Sequence, residues 1–443
     1  MTKFRLIAVA ALAMLCTVSQ AKKKVTPQLF PDGTPIPEWF NDTAKVSIDN
    51  LGKQYVITNY GVKNDSTIVQ TEAIQKVIDQ VAANGGGVVV IPQGTFLSGS
   101  IFFKQGVNLY LEKGGTLKGS DRIRNFELKK SRMEGQTLNY FSALVNADGL
   151  DGFTIAGEGT INGNGYNYWD EFWIRRKFNK QCTNLEAMRP RLVYISNCKN
   201  VTVQDVRLIN SPFWTNHLYR CENIRYLGCY IYAPTSGLKA PSSDAIDLDV
   251  CKNVLIRGCY MSVNDDAVVL KGGKGTWADK DPDNGPNSNI IVENCRYGVV
   301  HSCLTLGSES VHDRNIIFRN NNFKGANRVL WLKMRPDTPQ HYEYVSIENV
   351  EGTCTSFLVV RPWTQFFKPE KRDDMPLSTC NNIIIKNVNV KSKNFFDVGK
   401  SDKYHLKDFV FENCNIEDEK QSFNKTTIEN SIFKNVVING KKF

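Results

Sequence analysis

From Asn200 onward the chain repeats one short pattern: an asparagine, then alternating β-branched or aromatic residues, then Asn or Gly followed by Cys or another apolar residue. The runs Asn200-Val201-Thr202-Val203, Asn223-Ile224-Arg225-Tyr226, Asn253-Val254-Leu255-Ile256, Asn289-Ile290-Ile291-Val292, Asn315-Ile316-Ile317-Phe318 and Asn382-Ile383-Ile384-Ile385 each read as a short strand. The first intervals between the leading asparagines are 23, 30, 36 and 26 residues, irregular because inserts such as 272–287 lengthen particular turns. Strands stacked at such intervals predict an all-β solenoid, a right-handed parallel β-helix in which each turn pairs with its neighbours about 4.8 Å away.

The cysteines repeat in the same phase. Cys198, Cys221, Cys251 and Cys380 lie two positions before the leading asparagine, Cys229, Cys259 and Cys295 lie six positions after it, and Cys414 lies six after Asp408 in the same place of a later turn. Small apolar residues stacked inside a coil keep such a phase, whereas disulfides and zinc sites follow other spacings. Most are therefore read as buried free thiols, with one or two disulfides left open because adjacent turns bring ladder cysteines together.

An open coil exposes sheet edges at its ends, and residues 67–84 predict a helix that covers the first of them. Ile68, Ala73, Ile74, Val77, Ile78 and Val81 mark one apolar face, and Gly85-Gly86-Gly87 stops it. Two aromatic and polar excursions, 166–191 and 363–379, exceed ordinary turn connections and are expected to be loops that carry function.

With 41% hydrophobic and 23% charged residues the chain can bury a core, which excludes gross disorder, and no apolar run is long enough to span a bilayer. Lys3 and Arg5, the apolar run through Leu15 and Ser19-Gln20-Ala21 form a secretory signal over 1–21, and 22–443 is expected to be one coil domain. Leu15 stands before Cys16 where a lipoprotein needs a small residue, so soluble export to the periplasm or exterior is expected. Without Lys3 and Arg5 the balance of 55 basic against 45 acidic residues falls to 53 against 45, or +8, which suits an acidic partner. No basic cluster interleaved with aromatics offers a nucleic-acid platform, and a monomer is expected.

Asp244 and Asp265 are 21 residues apart, about one turn, so they are expected to stack on neighbouring turns of one face, with His301 a turn later and Lys333 a turn beyond that. Neighbours in a strand point to opposite faces, so Asp265 and Asp266 can both reach solvent only if a bend or bulge lies there. An inverting glycosidase needs a carboxylic acid and a carboxylate base about 6.5–9.5 Å apart, a range that stacked turns offer. Crowded like charges raise one pKa and keep a proton for the acid, while Lys333 and His301 hold the others ionised or bind an anionic sugar.

The chain resembles glycoside hydrolase family 28, the polygalacturonase family, over Tyr55 to the C-terminus. The family's Asn-Thr-Asp-Gly is matched by Ser242-Ser243-Asp244-Ala245, its Gly-Asp-Asp by Asn264-Asp265-Asp266, and its Gly-His-Gly by Val300-His301-Ser302, followed by Gly307-Ser308-Glu309. Its Arg-Ile-Lys falls on Trp331-Leu332-Lys333, and Tyr60-Gly61-Val62, the glycines from Gly85, 91–96 and Asn210-Ser211-Pro212-Phe213-Trp214 are also similar. The resemblance implies a pectin-lyase-like solenoid and an inverting hydrolase of pectic polysaccharide. It makes Asp265 the general acid, Asp244 with Asp266 the groups that position and deprotonate water, His301 their orienting neighbour and Lys333 the binder of a substrate carboxylate. No cofactor or metal is implied.

Trp331, where the family has arginine, removes a planar carboxylate binder and supplies an apolar stacking face. That points to a decorated or mixed pectin such as rhamnogalacturonan or its side chains. Arg335 and Arg361 are the candidates to replace the lost contact, and His217, about one turn before Asp244, is a candidate sugar contact or a structural histidine. The aromatic excursions favour exo action on an acidic plant cell-wall polysaccharide or oligosaccharide. Two other classes stay open: a polysaccharide lyase with calcium held by acids such as Asp247 and Asp249, and a non-catalytic carbohydrate-binding coil.

Overall fold

The computed structural model describes residues 28–365 and 370–443. The expected signal at 1–21, and Phe366 and Phe367 of the second excursion, lie outside the described residues. Among the described residues twenty-nine strands join one continuous sheet, almost wholly parallel and wound as a right-handed β-helix, with one separate two-stranded hairpin of Leu128–Met133 and Gln136–Phe141. Successive turns pair in register, with one irregularity between Lys324 and Ala326. Val193, Asn216, Ile246, Val268, Leu304, Leu330 and Leu358 form one inward column. Its polar member, Asn216, donates to the Ala245 carbonyl at 2.8 Å and accepts from the Tyr226 hydroxyl at 3.2 Å, so its burial leaves no amide group orphaned.

The leading asparagines have a direct physical role. Asn200, Asn223, Asn253, Asn289 and Asn315 all adopt φ between 54° and 59°, the left-handed region that asparagine tolerates better than other residues with a Cβ. Each side-chain amide donates to the one below: Asn223 to Asn200, Asn253 to Asn223 and Asn289 to Asn253 at 3.0 Å, and Asn315 to Asn289 at 3.2 Å. A second ladder runs through Asn320, Asn349, Asn387, Asn413 and Asn435. The recurring sequence pattern is thus the signature of two corners of the coil, each turned by a left-handed residue.

All eleven described cysteines are buried free thiols, and none forms a disulfide. The thiols of Cys221 and Cys251 donate to backbone carbonyls of the turn before, at 3.4 Å in each case. Between Cys251 and Cys380 the first ladder continues through Asn287, Asp313 and Tyr342. Asp313, pushed up to about 7 by burial, is held by Asn287 and Ser310 at 2.8 Å.

The expected capping helix is α1, Thr71–Ala83, which buries Ile74, Val77, Ile78 and Val81 over the first turn. The first excursion departs from expectation: its opening half is helical, α2 at Tyr166–Phe178, with Tyr168, Trp169 and Phe172 buried. The far end is closed by Phe423 packed among Phe395, Phe396, Phe411, Phe433 and Phe443.

The N-terminal segment from Gln28 runs along the outside of the coil. Phe30 and Phe40 cover an outward apolar stack of Leu227, Leu255, Ile291 and Ile317. Asp32 accepts from Arg314 and Asn315 at 2.8 Å, the Trp39 carbonyl accepts from Arg225 at 3.3 Å, and the Val46 amide donates to Gln204 at 2.9 Å. The strap therefore crosses five turns. No described helix is long and apolar enough to cross a membrane.

Candidate active site

The catalytic candidates sit where three turns begin the same parallel sheet. Strands Ile246–Asp249, Val268–Lys271 and Ser302–Leu306 stack with Ile246 opposite Val268 and Val268 opposite Leu304. Two residues before the first pair Asp244 therefore aligns with Asp266, and three before the second Asp265 aligns with His301. The expected pairing of Asp244 with Asp265 is off by one residue, although both reach the same cleft. The expected bend is present at Asn264-Asp265. It is fixed by the Asp266 amide donating to Asp265 Oδ1 at 3.0 Å, by the Asn264 amide donating to Ser243 Oγ at 3.0 Å, and by the Asn264 side chain donating to the Ala240 carbonyl at 3.1 Å.

Asp244, Asp265, Asp266, His301, Trp331 and Lys333 all line one cavity of about 300 Å³. His301 Nδ1 lies 3.4 Å from Asp265 Oδ1, and Lys333 Nζ lies 2.7 Å from Asp266 Oδ2. Asp265 is the accessible carboxylate, its side chain 28% exposed, while Asp266 is buried against its lysine. Burial acts to raise the Asp265 pKa, but the His301 hydrogen bond and charge and the Lys333 ammonium outweigh it and bring the group to about 2. Burial opposes charge on His301 as well, yet Asp265 and then Asp266 hold the imidazole above its ordinary value. Asp244 is pushed well up, first by burial and then by the negative charges of Asp265 and Asp247.

Two groups that sequence reasoning missed complete the electrostatics. Lys271 Nζ lies 3.2 Å from Glu309, 3.5 Å from Asp247 and 4.0 Å from Asp244. Burial would lower the lysine, but Glu309, Asp247 and Asp244 raise it, and it holds Glu309 far below the carboxylate range. Glu309 follows directly on the Gly307-Ser308 match, so its position was readable. Arg328 is the other: its guanidinium lies 3.8 Å from the Trp331 ring centre and donates to the His301 carbonyl at 3.4 Å. Burial lowers its pKa, opposed by the negative charges of Asp266, Asp397 and Asp265.

Trp331 sits between cations, with Lys333 Nζ 4.1 Å from its ring and Trp363 edge-on at 5.2 Å, so its ring seats charged groups more than it offers a free stacking face. Arg335 does not reach the cavity; it is buried and paired with Asp337 through bonds of 2.7 and 2.6 Å. His217 is fully buried and lies outside the groove, with Nδ1 2.7 Å from Arg191 and Nε2 3.5 Å from Asp249; burial brings it down to about 4. Arg335 thus does not replace the missing arginine, and of the two readings of His217 the structural one matches its burial while the sugar contact does not. Arg361 lines an adjoining cavity of about 730 Å³ and pairs with Asp397.

Asp247 and Asp249 offer no calcium cage. Asp247 faces Lys271, and Asp249 accepts from Arg132 at 3.1 Å with both groups fully buried, so each acid already has a cationic neighbour.

Toward the earlier turns the cleft is walled by α2 and the hairpin. α2 presents Phe172, Trp173 and Arg176 to it, and the hairpin tip presents Glu134. The tip turns through Glu134 at φ 45° and Gly135 at φ 71°, and a Cβ on Gly135 would stand 2.9 Å from the Gly273 and Lys274 backbone, so the wall is sealed by backbone contact. Asn184 ties the tip to α2's loop by donating to Glu134 at 2.8 Å and accepting from Arg189 at 2.9 Å. Toward the later turns the two cavities share His301, Trp331, Trp363 and Gln365, so the cleft continues.

The comparisons with known proteins agree with this architecture. A probable polygalacturonase of Vitis vinifera is 26% identical over 226 residues, 49% of this chain and 44% of that one. An endo-polygalacturonase of Pectobacterium parmentieri is 27% identical over 75% of this chain and 80% of its own. The chain thus spans about half the length of some of the curated relatives it matches. The crystal structure of an exopolygalacturonase from Thermotoga maritima superposes with a TM-score of 0.72 at 22% identity, covering 92% of this chain and 96% of that one, and so shares the fold. The model of glycosyl hydrolases family 28 matches residues 87–352, which contain the whole carboxylate cluster, and the chain belongs to that family.

Proposed function

We propose that this chain is an inverting hydrolase that removes terminal galacturonosyl units from pectic chains. One observation carries the reading: a cleft walled by α2 and the hairpin tip on one side and continued by a second cavity on the other, with Asp265 accessible beside His301 and two further carboxylates in the same cavity. The general acid must reach the glycosidic oxygen, and Asp265 is the carboxylate exposed to do so. Asp244 and Asp266 line the same cavity as Asp265, where an attacking water is to be held. In the reaction Asp265 protonates the leaving oxygen as the glycosidic C–O bond breaks. Water forms the new bond from the opposite face and passes its proton to Asp266, whose Oδ2 lies 2.7 Å from Lys333 Nζ, while Asp244 orients the water.

The Asp265 and His301 pair holds one proton. In the open cleft it rests on the imidazole; when a sugar excludes water the charge-separated pair loses its solvation, and the proton moves to Asp265. Activity is therefore expected to fall as pH rises through the elevated His301 pKa, above the ordinary histidine value of about 6.5. His301→Asn is expected to remove that alkaline limb and lower kcat at least about tenfold; a kcat/KM profile against pH checks both.

Lys333 and Arg328 provide cationic contacts for galacturonate carboxylates. Arg328 supplies a guanidinium beside Trp331, which offsets the arginine missing from position 331, so unbranched galacturonan is a substrate on this reading alongside decorated or mixed pectin. Arg361 serves the chain beyond the scissile bond. Export by the N-terminal signal is part of the same proposal, since the polymer is extracellular.

The test is product analysis on homogalacturonan and rhamnogalacturonan fractions. Free galacturonic acid from the first minutes, with little loss of viscosity, is the expected result. Early oligomers would exclude exo action, an unsaturated ultraviolet-absorbing product would establish a lyase, and bound glycan with no new reducing ends would leave a binding protein.

A further inference from the structure

Outside the cleft, two histidines and a glutamate converge on successive turns of the coil. His312 opens the strand His312–Arg319, His341 opens His341–Pro362, and the two stand opposite each other in register. Glu343, two residues after His341, points to the same face by the alternation of an extended strand. One donor atom from each of the three lies within 4.8 Å of the others. His312 Nε2 is 3.1 Å from Glu343 Oε1, and His341 Nε2 is 3.2 Å from Glu343 Oε2. The two rings are 5.1 Å apart.

We propose that His312, His341 and Glu343 bind one divalent transition-metal ion of the zinc class. Two imidazoles and a carboxylate form a recurrent zinc donor set, and zinc bonds of about 2.0–2.2 Å in tetrahedral geometry place donors roughly 3.3–3.5 Å apart. The carboxylate already stands near that spacing from both imidazoles. Strand backbone holds all three residues, so the ion meets a largely preformed site.

A fourth residue supports the assignment. His341 Nδ1 contacts Thr379 Oγ1 on the next turn, and a proton held there leaves the Nε2 lone pair free for a metal. The nearest competing cation, Arg314, has Nε 3.9 Å from Glu343 but is drawn away by its 2.8 Å bond to Asp32. All three donors are partly exposed, which provides an entry path and leaves a fourth position for water. Bound there, the ion joins two turns of the coil next to the point where Asp32 anchors the strap. Two turns beyond His341, His405 pairs with Glu429 at 2.7 Å and serves as a control with too few donors.

The experiment titrates the untagged full-length protein with zinc chloride by calorimetry and records the absorption spectrum with cobalt(II). One saturable site and a cobalt spectrum free of thiolate charge-transfer bands are expected. Glu343→Gln, which preserves shape, and His341→Ala are each expected to weaken zinc at least about tenfold, Thr379→Val by roughly 10–100-fold, and His405→Ala not at all. Absence of stoichiometric binding, undiminished binding in the folded Glu343→Gln and His341→Ala proteins, or a thiolate band would each overturn the proposal.

Discussion

Replacing Asp265 by asparagine is expected to lower kcat by roughly 10²–10⁴-fold while substrate binding persists, because the variant keeps the shape of the acid but carries no transferable proton. The fold should be unaffected. Asparagine retains the Oδ1 that accepts the Asp266 amide at 3.0 Å, so the bend that positions Asp266 survives. The 3.4 Å contact with His301 becomes neutral, and the imidazole loses the charge that raised it. Turnover on galacturonan, with oligosaccharide binding by calorimetry, checks the prediction. A variant that turns over normally would remove the acid assignment, and one that neither binds nor folds would show that the role of Asp265 is structural.

Arg132→Met is expected to cost about 3–5 kcal/mol of stability, the usual result of leaving a buried charge without its partner. Arg132 lies on the hairpin and reaches the coil, where its Nε donates to Asp249 at 3.1 Å and its Nη2 donates to Asn284 at 2.6 Å. Burial raises the Asp249 pKa, but Arg132 foremost and His217 next bring it below the ordinary value. Because that depression is lost in the variant, its deficit should be largest at neutral pH and shrink as pH falls through the Asp249 pKa. Urea unfolding at neutral and acidic pH measures both. The double variant Arg132→Met with Asp249→Leu should recover part of the loss, since no unpaired charge is then buried.

The solenoid was readable because its physics is local and repeated. A left-handed corner residue must recur once per turn, and asparagine both tolerates that conformation and bonds to its own kind in the adjacent turn, so the ladder is written directly in the sequence. The thiol columns are visible for a related reason: a small apolar side chain fits a narrow stacked interior. Helix α2 was not visible because Tyr166–Phe178 carries aromatics toward both the coil and the cleft and so shows no single apolar face.

The site was legible in its members more than in their pairing. Asp244, Asp265, Asp266, His301 and Lys333 converge on one cavity. Counting residues per turn still paired Asp244 with Asp265, because inserts of uneven length hide a one-residue slip that only the hydrogen-bond register fixes. The same limitation led to Arg335 and His217, whose burial a residue count does not show, and hid Arg328, which supplies a guanidinium three residues from the motif position that lacks one.

The N-terminal strap has a mechanical consequence. A stack whose layers touch only their neighbours tends to loosen layer by layer, each turn free to open without regard to those further away. Here Phe30 and Phe40 bear on four turns at once, and Asp32, Trp39 and Val46 fasten the same segment at separate heights along the axis. Prying one of these layers outward disturbs a fastening that others share. The central block holding the carboxylates thus behaves as a buckled bundle that yields together, while the final layers beyond Ser378, which none of these fastenings reach, can peel independently.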